Sequence, residues 1–196
     1  MKTLHFQPID AWTFIDPGVP DEVGAAAASR AASFAERPIS SKDHARLVRE
    51  FSGLARYRET LVTPDFAVLT TSTPSVMVIA YTSVHYFDGD GAEQFVVDDA
   101  WEERRNGDVV ADPDISRTET PLGTATRIVL RHAPERAGFL RGRTRKTSVR
   151  WVQPFSDDVH SSSAILTSII PHESNVDLAL PHVDRLALGL RLRDAS

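Results

Sequence analysis

The chain has no cysteine at any of its 196 positions. Disulfides, thiolate metal sites and thiol nucleophiles are therefore excluded, and the absence fits a reducing compartment. Lysine is nearly as scarce: Lys2, Lys42 and Lys146 are the only three, so almost every cation is an arginine. Guanidinium suits bidentate contact with anions, although the same bias, beside abundant alanine, follows from codon usage in a GC-rich genome. Long apolar runs are also missing. No stretch reaches the roughly 18 apolar residues of a membrane span, and residues 1–10 lack the apolar segment of a signal peptide. The expectation is a cytoplasmic protein. A net charge of −5 excludes a generic nucleic-acid binder. There is no phosphate loop, no Gly-x-Gly-x-x-Gly fingerprint and no Gly-x-Ser-x-Gly elbow, so three common catalytic and nucleotide-binding frameworks are absent. The seven histidines include no pair at metal-ligand spacing. No structural metal and no cofactor are expected.

What remains is an ordinary globular composition, 41% hydrophobic and 25% charged, in a chain long enough to bury a core without staples. One domain spanning residues 1–196 is expected. Trp12, Phe14 and Ile15 mark a first strand at 11–15, closed by Asp16-Pro17-Gly18. An alanine-rich helix follows at 21–36. A second, at 42–59, is capped by Ser40 or Ser41 and carries Leu47, Phe51 and Leu54 at helical spacing. The period then changes to two. Strands are expected at 66–69 and 76–87, the second apolar on both faces at its start. A helix at 92–105 places Phe95, Val96, Ala100 and Trp101 inward and ends at Asn106-Gly107. Strands at 115–120 and 124–132 form a hairpin about Pro121-Leu122-Gly123. Long strands at 143–155 and 164–170 follow. The chain closes with a helix whose stripe is Val176, Leu180, Val183, Ala187 and Leu190, starting near Leu180 so that Pro181 falls in its first turn. Hairpin-linked strands with helices at intervals predict an α+β fold: an antiparallel β-sheet of about six to seven strands flanked by helices, an α/β sandwich.

Several of these features share an order. Trp12-Thr13-Phe14 follows Pro8, the Pro121-Leu122-Gly123 turn joins two strands, and Val149-Arg150-Trp151-Val152-Gln153-Pro154, the strand at 164–170 and the helix at 183–190 end the chain. In this layout the sequence resembles the PsbP/Mog-like α/β sandwich, as seen in LpqN-type proteins of actinobacteria. The resemblance implies a binding or assembly factor rather than an enzyme. LpqN-type proteins are commonly lipoproteins; this sequence offers no cysteine to lipidate, so that property does not carry over.

The strongest local signal is a reversal of charge. Residues 88–119 hold eleven acids against three bases, and residues 127–150 hold eight bases against one acid, Glu135. Such blocks either pair internally or present a basic surface to an anionic partner. Arg141, Arg143 and Arg145 alternate as one face of a strand would, about 6.6–7 Å apart. Arg131 and His132 complete the candidate binding residues. Other clusters read more simply as structure. His85, Asp88, Asp90 and Glu93 lack the spacing of a calcium loop and suit a strand-to-helix turn. Asp98, Asp99, Glu102 and Glu103 read as a solvated helix face, and His160 with Ser161, Ser162 and Ser163 as a polar hairpin loop. The expected function is non-catalytic binding or assembly through a protein partner, using the basic 127–150 surface. The alternative is a small-molecule binder or enzyme in which arginine and His132 hold an anionic ligand in a cleft. Self-association through a sheet edge or helix face is a third possibility.

Overall fold

A computed structural model describes residues 2–6, 11–61, 65–71, 76–134, 145–156 and 161–194. The elements run β1 (Lys2–Phe6), β2 (Trp12–Phe14), α1 (Pro20–Ser33), α2 (Ser41–Thr60), β3 (Asp65–Thr70), β4 (Val78–Asp88), α3 (Ala92–Asn106), β5 (Asp114–Thr120), β6 (Gly123–Arg131), β7 (Thr147–Ser156) and β8 (Ser161–Ile170). A 3-10 turn (Glu173–Asn175), α4 (Val176–Leu188) and β9 (Leu190–Asp194) close the chain. Strands β2 to β8 make up an antiparallel sheet of seven strands, so the α+β class read from hairpin-linked strands with helices at intervals is the fold observed. The chain divides into two compact units, Pro8–His85 and Met1–Gln7 with Tyr86–Ser196.

In the first unit β3 lies between β2 and β4, with Phe14 opposite Ala67 and Leu69 opposite Ala80. The two helices cover a core of Ile15, Leu47, Phe51, Phe66 and Val68. Helix α1 shows little amphipathic stripe because it packs through small residues, Gly24, Ala27, Ala28 and Ala31, all buried. The approach to α2 is so close that a Cβ on Gly24 would lie 2.5 Å from the backbone nitrogen of Ser52. Ser40 caps α2, its hydroxyl accepting from the Asp43 N–H at 3.1 Å, as the sequence predicts.

In the second unit the strand order is β8-β7-β6-β5. Helix α3 packs Ala92, Val96 and Ala100 with Ile128, Leu130 and Val152. The expected burial of Phe95 and Trp101 is overturned: they are 61% and 36% exposed. The three small residues recur every four positions and form the contact ridge, and Phe95 and Trp101 each sit about 100° off it. Phe95 instead stacks on Phe87 at 6.3 Å between ring centroids.

Several boundaries also change. Strand β8 begins at Ser161 rather than 164, so Ser161, Ser162 and Ser163 are not loop but strand residues, paired with Ser156, Phe155 and Pro154. Residues 145 and 146 precede β7 rather than belonging to it, and 143 lies outside the described residues. Helix α4 starts at Val176, earlier than Pro181 alone suggests, because the 3-10 turn leads into it. Pro181 therefore sits inside the helix, where it cannot donate to the Asp177 carbonyl. The helix stops at Leu188, and Leu190 opens β9, which pairs antiparallel with β1 from Phe6↔Leu190 to Lys2↔Asp194. Neither of these strands was expected. The apolar stripe of α4 runs into Leu190 at helical spacing and hides the two-residue alternation that begins there.

Candidate interaction surface

The basic block does not act as one surface. Strand β6 carries Arg127 and Arg131, and β7 carries Arg150. Arg127 donates through Nε to Asp184 Oδ1 of α4 at 2.8 Å, and Trp151 Nε1 donates to the same oxygen at 3.1 Å. Arg150 reaches α3, donating to Asp99 Oδ2 at 2.8 Å and to Glu103 Oε1. Its side chain is only 14% exposed. Within the acidic block itself, Arg117 donates to Glu93 Oε1 at 2.9 and 2.6 Å, and Arg104 to Asp112 Oδ1 at 3.0 Å. The Arg117 guanidinium holds the Glu93 carboxyl below the usual carboxylate range, against a smaller opposing effect of burial.

Of the predicted binding residues, Arg131 and Arg145 are exposed. They stand at the same end of the β6–β7 pair, since Arg131 lies opposite Thr147 and the His132 N–H donates to the Lys146 carbonyl at 3.0 Å. Arg145 approaches Glu173 only to 3.9 Å, with half of its side chain in solvent. Arg141 and Arg143 lie outside the described residues.

His132 turns inward. Its Nε2 lies 2.7 Å from the hydroxyl of buried Ser148, and its Nδ1 is 3.9 Å from Glu103 Oε2. Burial holds this imidazole below the usual histidine range. The Glu103 carboxylate works against that shift, and the Lys146 and Arg150 cations reinforce it. Serine, histidine and carboxylate in sequence invite comparison with a catalytic triad. Ser148 is 1% exposed, however, and the nearer partner of Glu103 is Arg150 rather than the imidazole. The group ties β6 and β7 to α3 and offers no accessible nucleophile.

A cleft of about 290 Å³ opens between the start of α3 and the ends of β6, β7 and β8. Asp90, Glu93 and Ser161 to Ser163 line it, and among the described residues no arginine or histidine does. This is the wrong lining for an anionic ligand. The acids are also partly engaged: Asp90 accepts from the Ser161 hydroxyl at 2.9 Å, and Glu93 holds Arg117. Among the described residues, no group of three or more histidine and carboxylate side chains is placed to hold a metal ion. No helix among them is long and apolar enough to cross a membrane. The sequence analysis missed the Arg150–Asp99–Glu103 and Arg127–Trp151–Asp184 clusters. Their hydrogen-bonded partners are 33 to 57 positions apart, beyond any local spacing rule.

No protein family and no curated protein matches the sequence. Among solved structures, that of LpqN, described as involved in cell envelope biogenesis of Mycobacterium tuberculosis, aligns with 98% of this chain and 84% of its own at a TM-score of 0.49 and 10% identity. This is the type of protein whose layout the sequence resembles. The likeness is one of fold, and no functional statement rests on it.

Proposed function

We propose that this chain is a non-catalytic binding protein that recognises an acidic surface on a protein partner through the basic end of the β6–β7 pair. The supporting observation is the division of the arginines. Arg127 and Arg150 are engaged by carboxylates within the fold, whereas Arg131 and Arg145 stand exposed at one end of the same two strands. On this reading Arg141 and Arg143, which lie outside the described residues, belong to the same binding set. His132 serves from within by bonding Ser148. Exposed guanidinium groups at such a rim steer encounter and select for carboxylates, and their effect weakens with salt over a screening length of about 8–10 Å.

The test is a variant with Arg131, Arg141, Arg143 and Arg145 all changed to serine. Exposed charges contribute about 0–1 kcal/mol each to stability, so its melting temperature should stay close to that of the wild type. A protein recovered by the wild-type chain in a salt-sensitive manner should no longer be recovered by the variant. A variant that melts lower and still recovers the same protein would refute the reading.

A further inference from the structure

Strand β5 pairs with β6 along its whole length, from Asp114↔Val129 to Thr120↔Gly123, and no other described strand pairs with it. Asp114, Ser116, Arg117, Thr118 and Glu119 are exposed. An edge of this kind presents unpaired N–H and C=O groups to any strand that comes alongside. The turn fixes which groups these are. Thr120 and Gly123 close a two-residue hairpin and bond to each other, so the alternation along the ladder turns the backbone of Thr118 and Ser116 toward β6. It leaves the N–H and C=O of Arg117 and Glu119 facing outward.

Charges on an edge strand ordinarily guard it against pairing. Here the two charges are opposite in sign, two residues apart and therefore on one face. A strand carrying a single sign meets repulsion at one of them. A strand is accepted where the charge order is inverted, and an antiparallel copy of β5 has that order. We infer that the β5 edge is a self-docking surface, at which two copies of this chain join antiparallel in the register that sets Thr118 opposite its own copy. Arg117 of each copy then faces Glu119 of the other, two reciprocal ion pairs at cross-strand distance. The outward groups of the same four residues close four backbone hydrogen bonds. Ser116 meets Thr120. Arg117 already bonds Glu93 of its own chain, but its side chain remains 68% exposed and can serve both carboxylates. The surface is independent of the arginine row proposed above. So small an interface forms a weak, concentration-dependent dimer.

Sedimentation velocity at low salt, from about 10 µM to about 1 mM, spans the range of such an interface. The wild-type chain should show a monomer–dimer equilibrium that weakens with salt. Arg117→Glu, or separately Glu119→Arg, sets like charges opposite at both pairs and should raise the dissociation constant about ten-fold or more. Glu119→Arg keeps the Arg117–Glu93 pair, and so carries the test if Arg117→Glu folds poorly. Glu93→Gln should leave the dimer intact. The two single variants, mixed, should associate with each other, because each supplies the charges the other lacks. A wild-type chain that is monomeric at about 1 mM overturns the inference, as does a dimer indifferent to both reversals, or a mixture of the two variants that stays monomeric.

Discussion

Replacing Arg150 by methionine tests whether the basic block is spent inside the fold. Methionine keeps an apolar stem of similar reach on β7 and removes only the guanidinium. Two carboxylates lose their donor. Asp99 is 48% exposed and can take up water, so its share of the loss is small. Glu103 is 23% exposed, and its second oxygen, Oε2, is buried without a hydrogen-bond partner. It would be left as a half-buried, unpaired charge. A hydrogen bond to a charged group contributes about 1.5–3 kcal/mol, and breaking a fully buried ion pair costs about 3–5 kcal/mol. The partly open setting places the loss at about 2–3 kcal/mol. In a chain of this size each kcal/mol moves the melting temperature by about 2–4 °C, so a thermal melt followed by circular dichroism at pH 7 should fall by about 5–10 °C. Adding Glu103→Gln to the variant should recover part of that loss, because a neutral amide is cheaper to leave unpaired. If Arg150→Met melts within about 1 °C of the wild type, Arg150 is not an anchor, and it returns to the basic 127–150 surface expected from the sequence.

Two glycine-to-alanine changes in neighbouring helices should have opposite signs. Gly24→Ala forces a methyl group to 2.5 Å from the Ser52 backbone and should destabilise by about 1–3 kcal/mol, whereas Gly53, with nothing within 4 Å of its added Cβ, should gain about 0.5–1 kcal/mol in helix propensity. Chemical denaturation of both variants checks this, and two changes of the same sign would refute the close packing of α1 on α2. The pH dependence of stability should carry a contribution from His132. Burial lowers its folded-state affinity for protons, so the unfolded chain binds more protons below the ordinary histidine pKa of about 6.5. Stability is therefore complete above that pH and declines as pH falls through it toward the depressed folded value. His132→Gln should flatten part of the decline, leaving the share of His182, whose pKa burial also lowers. A slope between pH 5 and 7 that is unchanged by the substitution would contradict the buried setting of the imidazole.

The secondary structure was legible wherever one physical signal dominated. The period change after residue 65 marks β3 and β4, Ser40 marks the start of α2, and Gly107, at φ +81°, marks the end of α3. Errors arose where two signals competed. Phe95 and Trp101 are the largest apolar residues of α3, and size suggested burial. The contact with the sheet, however, is made by Ala92, Val96 and Ala100, and the two rings lie off that ridge and stay exposed. Leu190 fits both the helical stripe before it and the strand alternation that begins at it, and tertiary pairing with β1 decides between them. The site was less legible than the fold. Charge blocks show up in a sequence as sums, but pairing is decided residue by residue, by which strand position faces which helix turn.

That distinction bears on how charge reversal along a chain should be interpreted. A block of eleven acids beside a block of eight bases resembles two docking surfaces. Once folded, α3 sets Asp99 and Glu103 four residues apart on one side of the helix, and β7 brings Arg150 to both. On β6, by contrast, Arg127 and Arg131 diverge: the first meets Asp184, and the second reaches the strand's end, where it is exposed. Guanidinium groups near the middle of the strands meet helices and serve stability. Those near the ends have solvent around them and remain available for recognition. On the function proposed above, the part of the basic block used for binding is set by distance from the strand ends rather than by charge density. That criterion selects Arg131 and Arg145 from a stretch in which composition alone makes all the arginines look equivalent.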